Sequence, residues 1–190
     1  MNTQVEKTRQ MVQMALLGAI ILVMAFTPFL GYIPLGFTRA TIIHIPVILG
    51  SLLLGPKKGA ILGALFGVTS LINNTMNPTV TSFVFTPFYS IGETHGNFWS
   101  LVICFVPRIL VGIVPYYVYR LIQKWLKNRK KGQILSLSLA GLLGSLTNTV
   151  LVMNFIYLFF NQSYAQANNV SANALYGFIL SVIGINGVPE

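Results

Sequence analysis

Apolar residues run along this chain in long blocks, at about residues 11–30, 40–55, 59–73, 99–121 and 134–160, and polar or cationic residues separate them. Each block approaches the ~20 residues that a bilayer core demands of a helix, so the pattern predicts five membrane helices. The second and third are short, as suits helices packed inside the protein or tilted little. The first is expected to stay attached: it is long, and its far end, Phe26-Thr27-Pro28-Phe29, carries no small-residue cleavage pattern. A last apolar stretch at 174–185 covers only about a dozen residues, too few to span, and Asn186-Gly187-Val188-Pro189-Glu190 follows at once. Pro at a first helical turn followed by Glu is a start signal, so a sixth helix is expected to begin after residue 187, near Pro189.

Composition agrees with this reading. Of 190 residues only 12 are Lys or Arg and 3 are Glu, with no Asp, while 54% are hydrophobic and mean hydropathy is +0.73. A soluble domain carries roughly a quarter charged residues, so the chain is read as one all-α integral membrane domain over residues 1–190. Its +9 charge is sorted by topology: Lys7 and Arg9 precede the first helix, Lys57 and Lys58 separate the second from the third, and Arg120, Lys124, Lys127, Arg129, Lys130 and Lys131 separate the fourth from the fifth. That places 10 of 12 cations on one side, which the positive-inside rule makes cytoplasmic, together with the N-terminus. No nucleic acid is needed to explain the charge. The opposite loops, 31–39, 74–98 and 161–173, are rich in Asn, Thr, Ser, Gly and aromatics, which order through side-chain hydrogen bonds and turns.

Several chemistries are excluded or weakened. One cysteine, Cys104, allows neither an internal disulfide nor a thiolate metal site. No phosphate-binding G-x-x-x-x-G-K-[ST] motif occurs, and neither G-x-S-x-G nor H-E-x-x-H is present. No carboxylate lies in any predicted span, which argues against a proton relay or a usual sodium-coupled carrier. The expectation is a non-enzymatic binding subunit, without cofactor or metal, that borrows its energy. A stand-alone secondary carrier or channel, a structural membrane protein and an intramembrane enzyme are the rivals.

Ionisable residues inside a membrane are site hypotheses by default. Arg108 falls about ten residues into the fourth helix, roughly 15 Å deep at 1.5 Å per residue. Either backbone groups satisfy it, helped by the carbonyl that Pro107 leaves free one turn earlier, or it forks onto a ligand carboxylate. Arg39, at the mouth of the second helix, is the other outward cation; His44 lies one turn further in, where a packing role is the simpler reading. On the fifth helix Thr147, Leu151 and Asn154 share a face, with Tyr157 beyond. For Asn148 joining helices and contacting a ligand are equally open readings, whereas Asn154, nearer the outside, is favoured as a ligand contact. Gly59, Gly63 and Gly67 read as close helix packing, and Ala15 and Ala19 form a weak A-x-x-x-A on the first helix.

Taken together, Thr38-Arg39-Ala40-Thr41-Ile42-Ile43-His44-Ile45-Pro46-Val47-Ile48-Leu49-Gly50, Leu54-Gly55-Pro56-Lys57-Lys58-Gly59, Phe66-Gly67-Val68-Thr69-Ser70 and Phe105-Val106-Pro107-Arg108 resemble the substrate-binding S component of energy-coupling factor (ECF) vitamin transporters, in the riboflavin-transporter-like superfamily and closest to the pantothenate type. The resemblance runs from the first helix to about Gly187. It implies a six-helix bundle that captures a vitamin under its outer loops, docks on a coupling transmembrane protein and two ABC-type ATPases, and topples to release its cargo inward. It also gives Ala15 and Ala19 a role in docking to the coupling protein. The substrate contacts expected on these grounds are Arg39, Asn74, Phe85, Asn97, Arg108, Asn154 and Tyr157. Pantothenate, with a carboxylate, an amide and hydroxyls, suits an Arg with Asn and Tyr partners; riboflavin would instead use Phe83, Phe85 and Trp99 for stacking.

Overall fold

The computed structural model describes the chain except for residues 1–2, 28–29, 35–38, 93, 127–129, 169, 172–173 and 188–190. Helix α1 (Thr3–Phe26) is followed by a hairpin of β1 (Tyr32–Pro34) and β2 (Arg39–Thr41), then α2 (His44–Leu54) and α3 (Pro56–Met76). The next connection holds a 3-10 turn (Ser82–Val84) and a two-residue hairpin of β3 (Ser90–Ile91) and β4 (Thr94–His95). Helices α4 (Phe98–Val111), α5 (Val114–Trp125), α6 (Lys130–Ala167) and α7 (Leu175–Gly187) complete the described chain.

Four helical stretches are long and apolar enough to cross a membrane: 4–26, 56–76, 98–125, in which α4 and α5 run on across a break, and 132–167. With α2 and α7 they make six apolar rods. The five expected helices are present with shifted bounds. The first starts earlier and ends at Phe26, and the second, α2, begins at His44 because the segment before it pairs as a hairpin. The last runs through 161–167, which the sequence reading assigned to a loop; non-helical backbone at Phe160 (φ −133°, ψ 23°) marks a kink where the apolar block ends. The segment 174–185 becomes α7, and a helix starting near Pro189 would fall outside the described residues.

Two apolar cores result. Leu17, Ile21 and Ala25 of α1 pack with Val47 and Ile48 of α2, Leu62 and Phe66 of α3, and Val111. Phe83, Val84 and Ile103 pack with Val152, Met153, Ile156 and Phe160 of α6 and with Leu175, Ile179 and Val182 of α7. The short α7 is thus held by burial of its apolar face. Much of α1 instead leaves large apolar side chains outward, Val12, Leu16 and Val23 among them, as a lipid-facing helix does.

Helix α3 is the central strut. Gly55, at φ +88°, turns the chain between α2 and α3, a conformation that costs glycine little, and Pro56 opens the new helix. A Cβ at Gly59 would strike the carbonyl of Gly112, one at Gly63 the carbonyl of Arg108, and one at Gly67 would sit 2.8 Å from the Phe105 ring. The glycine stripe therefore brings the α3 backbone against α4. Continued outward along the helix, that stripe becomes Ser70 and Asn74.

Side-chain bonds show which ends lie together. Lys58 donates to Gln10, joining the starts of α3 and α1, and Gln123 of α5 donates to Ser136 of α6 at 3.0 Å. At the opposite end Asn73 donates to the carbonyl of Ala25, 3.2 Å away. The cation-bearing loops and the polar loops thus separate to opposite ends of the bundle.

Candidate functional site

Arg108 lies at the seam between the two cores. Pro107 has no N–H to give the carbonyl of Ile103, and that carbonyl accepts instead from Arg108 Nη1 at 2.7 Å. Nη2 donates to Ser70 Oγ across the helix pair at a long 3.4 Å. Nε is buried and has no hydrogen-bond partner among the described residues. The ring of Phe66, from one core, stands 5.6 Å from the guanidinium carbon, and that of Phe85, which packs on the other, stands 5.0 Å away. The residue is 5% exposed.

Every one of these partners is neutral. The single carboxylate among the described residues is Glu6, exposed at the start of α1. A buried cation held by one carbonyl, one distant hydroxyl and two ring faces is short of counter-charge. The staple foreseen from Pro107 is real, but it engages one edge of the guanidinium. The Nε–H and the neighbouring Nη2–H form the side-on edge to which a carboxylate binds in a two-point fork.

The outer connection closes on this group. Asn74, on α3, donates through Nδ2 to the carbonyl of Ser70 at 2.9 Å and reaches Ser70 Oγ at 3.5 Å; its Oδ1 accepts from Ser82 Oγ at 3.0 Å. Thr75 and Thr86 hydroxyls bond at 2.8 Å, and Ser100 Oγ donates to the carbonyl of Phe83 at 2.8 Å. Residues 79–86 are thereby an ordered piece, and Phe85 is carried on it. Cys104, one helical turn before Arg108, is buried and donates to the carbonyl of Gly67.

Of the residues expected from sequence, Arg108, Phe85 and Asn74 come together. Asn97 sits at the rim in another capacity: its side chain accepts from Trp99 N at 2.9 Å and, with Ser100, forms a capping box at the start of α4. Asn154 is only partly buried and donates back to the carbonyl of Val150 at 2.7 Å, while Tyr157 is exposed and meets Tyr176 of α7 edge-on. No described hydrogen bond or ring contact links either to Arg108. Arg39 lies in β2 opposite Pro34, and its side chain is outside the described set. His44 is buried at the first turn of α2, Asn148 is buried with its Oδ1 unpartnered, and Thr147 bonds to the carbonyl of Leu143. Phe66, Ser70 and Ser82 were not singled out as ligand contacts. Phe66 and Ser70 belong to a motif that carries the family resemblance and extend the glycine face of α3, whereas Ser82 has no sequence signal.

On the outer side of α1, Ala15 and Ala19 are both exposed on one face, flanked by the exposed Leu16 and Ile20. Gly18 turns the other way, toward Leu65. That strip of α1 is open to a neighbouring helix.

Known proteins agree with this architecture. The family described as "ECF transporter, substrate-specific component" matches residues 9–190. The chain is 40% identical over 174 residues to the pantothenic acid transporter PanT of Lactococcus lactis subsp. cremoris, covering 88% of this chain and 84% of that protein. It is 30% identical over 191 residues to the pantothenate transporter PanT of Leuconostoc mesenteroides, covering 97% and 85%. With a family match over nearly its whole length and six apolar helices, the chain belongs to the substrate-specific components of ECF transporters, multi-pass membrane subunits that bind a vitamin and work with an ECF module, and it is not an enzyme.

Proposed function

We propose that this subunit captures pantothenate from outside a bacterial cell and delivers it inward through a coupling transmembrane protein driven by two ABC-type ATPases. The observation that carries the reading is Arg108: a buried guanidinium whose Nε has no hydrogen-bond partner and which has no acid beside it among the described residues. Pantothenate's carboxylate supplies the missing charge, and Phe66 and Phe85 line the faces of the group that receives it. The amide and hydroxyls of the vitamin call for further hydrogen-bonding groups, for which Arg39, Asn97, Asn154 and Tyr157 are the candidates. Both named relatives are pantothenate transporters, which supports the same choice.

Orientation follows from charge. The end bearing Lys7, Arg9, Lys57, Lys58, Arg120 and Lys124 faces the cytoplasm, with the N-terminus, so the Arg108 site opens toward the outer loops. Ala15 and Ala19, on an exposed strip of α1, provide the surface for close approach of a helix of the coupling protein.

The test is binding of a panel of B vitamins to the purified subunit, followed by uptake into vesicles with and without the energising module. Pantothenate is expected to be retained and riboflavin not. Retention of riboflavin alone would reassign the substrate, and uptake without ATPases would make the subunit a self-sufficient carrier.

A further inference from the structure

We infer that Asn74 is a positioning residue: it does not touch the vitamin, but holds Ser70 and the Ser82–Val84 turn so that the Arg108 fork and the Phe85 ring are set to select an anionic substrate. This rests on the reading of Arg108 as the carboxylate site.

Both ends of the Asn74 amide are engaged within the protein, and the network fixes which end is which. The carbonyl of Ser70 only accepts, so the NH2 group must face it, at 2.9 Å. On the other side, Ser82 Oγ accepts from the backbone N–H of Thr79 at 2.8 Å, which leaves its own proton for Asn74 Oδ1 at 3.0 Å. Asn74 is 9% exposed, and its amide spans from α3 to the outer connection.

Two consequences reach the guanidinium. Ser70 Oγ, approached by Asn74 Nδ2, is the group that receives Arg108 Nη2 at 3.4 Å, so Asn74 sets the polar neighbour of the fork. Phe85 N donates to the carbonyl of Ser82 at 2.9 Å, and the Phe85 ring lies 5.0 Å over the guanidinium carbon, so pinning Ser82 also sets that ring. The turn has other anchors in the Ser100–Phe83 and Thr75–Thr86 bonds. Loss of the Asn74 amide therefore loosens the alignment of Arg108 and Phe85 while the connection keeps its course.

The inference predicts an effect confined to the carboxylate. Purified wild type, Asn74→Ala, Ser82→Ala and the double variant are titrated with pantothenate and with pantothenol, the neutral alcohol in which CH2OH replaces the carboxylate. Wild type is expected to prefer pantothenate. Each single variant loses up to about tenfold in affinity for pantothenate, the scale of one net hydrogen bond between neutral groups, and at most about twofold for pantothenol. The double variant loses less than the two single losses combined, because both remove the Asn74–Ser82 link. If Asn74→Ala does not fold, Ser82→Ala carries the comparison alone. A parallel loss for both ligands, as direct contact or general loosening would give, overturns the positioning role, and so does no loss for either. A wild type that binds both equally, or neither, overturns the carboxylate site itself and this inference with it.

Discussion

Replacing Arg108 by Ala removes the one buried cation in the described bundle and gives the sharpest test of the site. In the proposed complex the side-on edge makes two charge-assisted hydrogen bonds to the carboxylate, each contributing about 1.5–3 kcal/mol. Losing both weakens binding by about 3–6 kcal/mol, a factor of roughly a hundred to ten thousand in Kd. The substitution also strands the carbonyl of Ile103, whose hydrogen bond from Arg108 Nη1 is 2.7 Å long and which Pro107 cannot serve. An unsatisfied buried carbonyl costs about 1–3 kcal/mol in stability, so folding is followed separately, by size-exclusion behaviour and thermal unfolding in detergent. Arg108→Lys separates the two effects: it keeps the charge but presents no planar fork, and it should lose about ten- to a hundredfold, one such bond. The assay is equilibrium retention of radiolabelled pantothenate by the purified protein. A folded Arg108→Ala variant that binds as wild type does would refute the carboxylate site outright.

Three further outcomes are expected. Ala15→Trp combined with Ala19→Trp should leave pantothenate binding intact and abolish coupled uptake, since both positions lie on an exposed strip of α1; normal vesicle uptake by the double variant would count against docking there. Gly63→Leu drives a side chain into the carbonyl of Arg108 and against Ile109 Cα at 2.9 Å, so it should lower the unfolding temperature markedly and disturb binding as well, whereas Ile61→Ala, on the exposed side of the same helix, should do neither. Asn97→Ala removes the cap that accepts from Trp99 N and should cost about 1 kcal/mol of stability; Asn97→Ser, which retains a capping oxygen, should recover it, and thermal unfolding of the two variants decides the point.

Much of the fold is legible from pattern alone because a bilayer imposes a simple rule: long apolar blocks must be helices, and their flanking cations report sidedness. Arg108 is legible for the same reason, since a charge among apolar residues stands out wherever it falls. Pro107 even foretells the Ile103 carbonyl that receives it. The short α7 was harder. A dozen apolar residues do not announce whether they span, and only burial of Leu175, Ile179 and Val182 against α6 shows how the segment is used. Asn97 has a role that pattern alone does not show: at the first turn of α4 its amide accepts from an otherwise unsatisfied backbone N–H.

Linear order fixes the membrane class, the end at which the cations gather and the position of Arg108 within an apolar block, because each depends on local composition or on transfer from water to lipid. The three-dimensional packing chooses the partners of that guanidinium. Ser70, Asn74, Ser82, Phe66 and Phe85 come from α3 and from a connection that looks featureless as text, and they meet Arg108 because the glycine face of α3 lets two backbones approach to within contact. Hydrogen bonds and ring contacts act over a few ångströms, and those distances between remote segments exist only once the helices are packed.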